Sequence, residues 1–542
     1  MEGESTVIPS TFIPSNVFQQ RLRLLLVSLA VLIGNRLFAS DSGSVSVATP
    51  NILFVIADDW GTHASAYGTP WVTTPAFDRV ANEGLLFRRA YTPNAKCAPS
   101  RSILLTGRHS WQLEEAGNHL SFFPSKFKTW PEVLRDNGWQ VGLTGKGWGP
   151  GIAKNAKGDE RQMIGKSFQR KTVRPIAKGI AANDYASNFA DFLDQTNADA
   201  PWCFWVGFQE PHRPYEVGVG EAKAQKKLDD IDRVPSYWPD DSVTRRDMLD
   251  YAMEVEYLDS HLMRILDELD RRRLADNTLV IVTSDHGMPF PRCKGYAYHD
   301  SNHVPLAIRW PHGIATSNRE IQDFVDFTDV APTLLDLAGV DTNTAGMAPM
   351  SGRSWRKLLE SERLEQVDPE RTFALVGRER NDVGRPGDVG YPIRGIVTEN
   401  YLYLRNFEPA RWPAGNPETG YLDTDGSPTK TSILQRGREN RTDLFWQLCF
   451  GLRPAEELFD LQQDPDCVRN LASIPDAQPM LISLREQMEQ KLSEQGDPRM
   501  RGQGDIFDRY PVSSGAGFYE QWSRGEKVSA GWVEPSDFEP PR

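Results

Sequence analysis

The chain of 542 residues has only five cysteines, Cys97, Cys203, Cys293, Cys449 and Cys467, and none stands in a CxxC pair or a Cys/His cluster. That excludes a disulfide-knotted miniprotein and gives no sign of a zinc module. A basic excess is also missing. Against 74 Asp+Glu there are 61 Lys+Arg, a formal net charge of −13, so the broad cationic footprint that a phosphate backbone demands is absent and no nucleic-acid partner is expected. The longest apolar run, residues 24–34, is too short to cross ~30 Å of hydrocarbon comfortably, so no stable membrane insertion is expected. Internal repeats are not evident. At 39 % hydrophobic and 25 % charged residues the chain is neither disordered, collagenous nor a coiled coil. Its length allows one large domain or two smaller ones around an ample core, and 43 Gly and 38 Pro imply many turns.

Arg21 and Arg23 precede the short apolar run, and Phe38-Ala39-Ser40 follow it. This is the layout of a secretory signal, so residues 1–40 are expected to be a cleaved leader and the protein exported, to the periplasm or beyond, with a membrane anchor as the alternative. Five thiols in an exported chain leave one over even if the others pair.

From residue 51 the sequence alternates helix and strand. Asn51 to Ala57, NILFVIA, is a continuous apolar run of the kind buried on both faces of a parallel sheet, and it ends in Asp58-Asp59. Thr74-Pro75 opens a helix that Gly84 closes. Three more units repeat the pattern. Helix 129–137 leads to strand 140–143 and Lys146; helix 183–195 leads to strand 202–208, Glu210 and His212; and helix 244–273 leads to strand 279–283, Asp285 and His286. A further strand over 304–310 and a helix over 329–337 follow. Such alternation predicts an α/β sheet with helices on both faces, and polar residues crowd beyond the strands' carboxyl ends, where such sheets place their sites. After about residue 372 the pattern changes to a hairpin, 391–397 and 401–407, a short strand 457–460 and a helix 483–495. The expected organisation is a catalytic domain over 48–372, a smaller α+β subdomain over 373–508, and a tail over 509–542 that either wraps the surface or is disordered.

Cys97-Ala98-Pro99-Ser100-Arg101, followed by Leu105-Thr106-Gly107, forms the pattern C-x-P-S-R-x-x-x-L-T-G and resembles the maturation signature of the type I sulfatases. The resemblance runs from about residue 50 to about residue 475. It implies an alkaline-phosphatase-like α/β fold, a large mostly parallel sheet with a C-terminal antiparallel sheet. It also implies oxidation of Cys97 to formylglycine by a formylglycine-generating enzyme. The chemistry explains the need: sulfur in a sulfate ester is anion-shielded and weakly electrophilic, so an activated oxygen nucleophile is required. A hydrated aldehyde supplies two hydroxyls, one to attack and one whose deprotonation expels sulfate, where a serine would retain a stable ester.

By the same resemblance Asp58, Asp59, Asp285 and His286 are metal ligands for Ca²⁺ or Mg²⁺, which hard carboxylate oxygens suit. The family more often has Asn at the position of His286. Arg101 would hold the hydrate and the ligand carboxylates, Lys146 and Lys294 would grip sulfate oxygens, and His212 would protonate the leaving group. Many sulfatases carry a histidine two residues after the lysine matched by Lys146; here that residue is Trp148, so either His109 or another group replaces it or the step runs differently. Within the family, Ser284 to Pro291, Glu210 to Arg213, Tyr391 to Arg394 and Glu457 to Ala472 are most similar to the heparan N-sulfatases (sulfamidases). That implies a sulfated-sugar substrate, with N-sulfoglucosamine at a non-reducing end as the leading form. Glu210, Arg213, His299 and His303 are candidate sugar contacts. The alternatives are an O-sulfatase on another sulfated polysaccharide, a phosphonate monoester hydrolase sharing the cysteine signature, and a glycan-binding member without turnover.

Overall fold

A computed structural model describes residues 1–3, 49–197 and 199–539; the expected leader lies outside the described residues. Strand β1, Asn51–Ala57, is central to an eight-stranded sheet, hydrogen-bonded on both edges. The other strands in chain order are β2 (Leu85–Phe87), β3 (Gln140–Gly145), β4 (Lys166–Ser167), β5 (Trp202–Gly207), β6 (Thr278–Ser284), β7 (Leu306–Arg309) and β8 (Arg319–Ile321), arranged β8-β2-β7-β6-β1-β5-β3-β4. Only β7 runs antiparallel to both of its neighbours.

The sheet divides its hydrophobic residues between two cores by the simple alternation of a strand. Leu53, Val55 and Ala57 point to one face, where helices α1 (Pro75–Asn82), α4 (Tyr185–Leu193) and α5 (Ser242–Arg271) pack. Ile52, Phe54 and Ile56 point to the other, against α2 (Cys97–Thr106), α3 (Trp130–Asp136) and α6 (Val330–Leu337). A strand covered on both sides must be apolar at every position, which is why NILFVIA shows no alternation. Helix α5 begins at Ser242 because the Asp241 carboxylate accepts the backbone N–H groups of Val243 and Thr244, both at 3.0 Å.

Beyond residue 372 an antiparallel sheet forms in the order β9 (Phe373–Arg378), β10 (Ile393–Thr398), β11 (Tyr401–Asn406) and β12 (Glu456–Asp460). Between β11 and β12 the chain inserts helices α7 (Pro428–Glu439) and α8 (Leu444–Phe450), which periodicity did not suggest, and α9 (Gln478–Glu494) covers one face through Leu481, Leu484, Met488 and Leu492. The tail carries a short helix, Phe518–Ser523, and pins Phe518 and Trp532 against Leu120, Val383 and Leu422. Contacts are continuous over Thr49–Arg542, which form one unit. No helix among the described residues is long and apolar enough to cross a membrane.

Arg394 on β10 shows how this half is held. It is fully buried, pairs with Asp497 through Nε at 2.7 Å and reaches Glu379 at 2.7 Å, and Arg499 closes on the same Glu379. Removing one member of such a network strands the others without solvent. Arg394→Ala is therefore expected to lower the unfolding free energy by about 3–5 kcal/mol, read as a lower urea midpoint; an unchanged midpoint would show that the network is energetically idle.

Candidate active site

Four neighbouring strands end side by side, and each delivers charge. Ala57 of β1 is level with Ser284 of β6, Ile56 with Gly207 of β5, and Gly207 with Gly145 of β3. The next residues are Asp58-Asp59, Asp285-His286, the Glu210 to His212 turn, and Lys146. Gly145 has a φ of 75°, and a Cβ there would stand 1.9 Å from the Gly207 carbonyl oxygen. Only glycine allows the turn that brings Lys146 in. Asp59 also lies in the left-handed region, at φ 73°, fixed by its N–H on Asp285 Oδ1 at 3.0 Å.

The fifth contributor is α2, whose first residue is Cys97. The signature spacing has a mechanical reading. Arg101 is one turn after Cys97 on the same helix face. Its guanidinium, fully buried, donates to Asp285 Oδ2 at 2.9 Å and the Gly147 carbonyl at 2.9 Å, and pairs with Asp58 Oδ1 at 3.4 Å. Ser100 donates to the Asp285 carbonyl at 2.6 Å. Pro99 falls in the first turn, where its missing N–H leaves no bond unmade. The helix is thereby bolted to three strand ends with Cys97 over them.

Lys146 pairs with Asp58, and Lys294 bridges Asp59 Oδ2 and Asp425 Oδ2, each at 2.7 Å. His286 Nε2 is 3.0 Å from Asp59 Oδ1 and 3.5 Å from Cys97 Sγ. His212 Nε2 is 3.8 Å from Asp59 Oδ2, and its other ring nitrogen donates to the Arg213 carbonyl at 2.6 Å. Burial pushes the Asp58 carboxyl up, but Lys146, His212 and Arg101 together hold it well below the usual range. Asp285 goes the other way, to about 7, through burial and the neighbouring Asp58 charge. Burial disfavours imidazolium at His286, yet Asp285 and Asp59 raise it to about 9. At Cys97 burial and Asp58 oppose the thiolate, but Lys146 and Lys294 prevail and the thiol lies well below its ordinary value.

These residues fit a divalent cation. One ligand atom each from Asp58, Cys97, Asp285 and His286 lie within 4.8 Å of one another, and buried Asp59 Oδ1, out of line with His286, accepts no hydrogen bond. The two carboxylates of this group, with Asp59 beside them, offer the oxygen donors that a hard cation takes.

Of the remaining sequence candidates, the structure brings none to this cavity. Glu210 turns inward, accepting from Ala181 N–H at 2.9 Å and Tyr185 at 2.8 Å. Arg213 forms a two-pronged pair with Asp247, both at 2.8 Å. His299 packs on Tyr91, and His303 Nε2 bonds the Arg88 carbonyl at 2.9 Å. Their polar atoms are already engaged by the scaffold. His109 stacks on Trp111 in a separate cavity beside Asp326 and Asp329. The cavity over Cys97, about 220 Å³, is instead completed by Lys96, His119, Asp382, Asp425 and Trp532. These come from loops and the tail, which carry no motif; the histidine missing at position 148 was the one sequence signal that another had to be found.

Ca²⁺ added to chelator-treated protein is expected to raise its stability by about 2.7 kcal/mol at a hundredfold excess over Kd, seen as a higher melting temperature, and Asp58→Asn is expected to remove most of that rise. Equal stabilisation of both proteins would place the ion elsewhere.

The sulfatase family profile matches residues 50–340. An ulvan-active sulfatase of Formosa agariphila is 29 % identical over 83 % of this chain and 81 % of its own length. Human N-sulphoglucosamine sulphohydrolase is 26 % identical over 83 % and 91 %. A solved structure of BT4656 in complex with its substrate D-glucosamine-2-N,6-O-disulfate superposes with a TM-score of 0.58 at 19 % identity, over 83 % of this chain and 98 % of that one. With a fold, a strand-end cluster and a family match that all agree, the chain belongs to the sulfatases and is a sulfuric ester hydrolase.

Proposed function

We propose that this protein is an exported, formylglycine-dependent sulfatase that removes a sulfate ester or sulfamate from the terminal sugar of a sulfated carbohydrate, with N-sulfoglucosamine at a non-reducing end as the preferred substrate. The observation that carries the reading is Cys97 at the start of a buried helix, under a small cavity into which Lys146, His212 and Lys294 converge. In this reading residue 97 is oxidised by a formylglycine-generating enzyme. Cys97 is 2 % exposed, so that oxidation has to precede folding.

When bound, the divalent cation would neutralise sulfate oxygens and favour ionisation of the attacking hydroxyl. The protein's own groups do the rest. Lys146 and Lys294 hold the sulfate oxygens, and the carboxylates behind them keep both ammonium groups fixed before substrate arrives. His212, half-exposed at the cavity wall, delivers a proton to the leaving oxygen or nitrogen. Its bond to the Arg213 carbonyl leaves Nε2 as the nitrogen facing the site.

The cavity's size supports exo action. At about 220 Å³ it lies below the ~300 Å³ at which pockets for drug-sized ligands begin, room for one sugar and its sulfate. Leu120, Pro150 and Trp532 supply its apolar wall, and the Trp532 indole is fixed by its N–H on the Leu422 carbonyl at 2.9 Å. The N-sulfo preference is supported by the runs shared with the sulfamidases and by a curated relative of that name aligned over 91 % of its length.

Mass spectrometry of the peptide holding residue 97, with sulfate release measured on N-sulfoglucosamine, glucosamine 6-sulfate and a phenyl phosphonate, tests the reading. The aldehyde and fastest release from the sulfamate are expected. Faster release from the 6-sulfate would make the protein an O-sulfatase, and preference for the phosphonate would remove it from sugar desulfation. Trp532→Ala is expected to raise KM about two- to tenfold, the ~0.5–1.5 kcal/mol of a ring contact, with kcat nearly unchanged; no change in KM would clear Trp532 of substrate contact.

A further inference from the structure

Resting on that reading, we infer that His119, oriented by Asp382, is the base that takes the proton from residue 97 and so releases sulfate, the role left vacant at Trp148. Position 148 cannot fill it. The Trp148 indole nitrogen carries a hydrogen and has no acceptor lone pair, and it is spent on Ser102 Oγ at 2.8 Å and the Ala98 carbonyl at 3.1 Å, with the ring edge-on to Phe123. The tryptophan therefore braces α2 instead of facing the reaction.

His119 lines the cavity over Cys97 from a loop. Its Nδ1 is 2.9 Å from Asp382 Oδ1, so Nδ1 donates to the carboxylate and, in the neutral ring, the lone pair is on Nε2. That nitrogen is buried and finds no hydrogen-bond partner, and His119 and Cys97 line the same small cavity. A buried imidazole nitrogen left without a partner is costly in a merely structural histidine; here it belongs to a residue that shares a cavity with Cys97. Asp382 is immobilised in turn, by Lys96 at 2.7 Å and by its own N–H on Asp423 Oδ1 at 3.0 Å. Leu120, the next residue, is held at φ 48°, a left-handed conformation unfavourable for leucine that fixes the loop beside the cavity. His286, the other imidazole near the sulfur, is engaged with Asp59 and Asp285, and His212 stands on the leaving-group side.

The step balances without another reagent. After sulfuryl transfer one oxygen of residue 97 bears sulfate and the other is a hydroxyl. His119 Nε2 takes the hydroxyl proton, and the O–H electron pair becomes the second bond of the carbonyl. The carbon–oxygen bond to sulfate breaks with its pair, sulfate leaves as the dianion, and residue 97 returns to the aldehyde. Asp382 stabilises the imidazolium that forms, as the carboxylate of a catalytic triad does, and the proton passes to water.

The test is His119→Ala, with Asp382→Asn beside it. The expected result is a kcat lower by about 10²–10⁴-fold with KM within a fewfold. After acid quench, the residue-97 peptide of His119→Ala should retain the mass of one sulfuryl group, absent from wild type, and added imidazole should partly restore turnover. Asp382→Asn should show the same retention with a smaller loss. Wild-type turnover in His119→Ala, or slow turnover with no sulfate on the peptide and no imidazole rescue, overturns the inference. An intact thiol at residue 97 in active wild-type protein is a different result: it overturns the proposed function beneath.

Discussion

The structure depends on one buried guanidinium. Arg101 joins the carboxylates of two strand ends and the carbonyl at a third, and it stands one helical turn below Cys97. A buried arginine is tolerable only when its donors are nearly all used, and here they are used on groups that are themselves costly to bury. Asp58 and Asp285 would repel one another without it. The same contact therefore permits the acidic cluster, fixes the helix and sets the height of residue 97, so the signature's Cys-to-Arg interval is a distance requirement as much as a sequence pattern.

Charge is paired throughout the site, and the pairing decides its character. Lys146 is backed by Asp58, Lys294 by Asp59 and Asp425, and Lys96 by Asp382. Each ammonium is held in place by at least one anion beside it. This resolves the apparent conflict between a chain of net charge −13 and an anionic substrate. The surface field governs approach, whereas a dianion inside the cavity meets preset cations at short range in a medium that screens little.

What could be read from the sequence follows from where information is local. Continuous apolar runs mark β1, β5 and β6, because a strand buried on both faces admits little else; Asp58 and Asp59 lie just beyond β1, Asp285 just beyond β6 and Lys146 just beyond β3. Glu210, Arg213, His299 and His303 stand near motifs but do not line the cavity over Cys97. A strand end says that a residue is near the site, while the side chain's direction depends on partners such as Tyr185 and Asp247 that lie far off in sequence. The helix at 428–439 has a buried face in which Lys430 interrupts the apolar pattern, and the one at 444–450 is only seven residues long, too short to show a helical period. His119, Asp382 and Trp532 were illegible for a third reason: each sits in a loop without periodicity and acquires meaning only when the C-terminal segments close over the cavity.

That closure changes how the exchange at position 148 is understood. Histidine and tryptophan differ in that only the former can accept a proton, so their interchange within one motif would be expected to end turnover. The cavity, however, needs an acceptor at a point in space, not at a position in the chain. Once Asp382 is present to orient an imidazole from the facing loop, residue 148 is released from chemistry and can strengthen α2, where its N–H finds two acceptors beside the helix. The substitution and the Asp382–His119 pair are then two halves of one arrangement, in which the proton acceptor is supplied by the loop and C-terminal half while residue 97 stays on α2 and the charge around it at the strand ends.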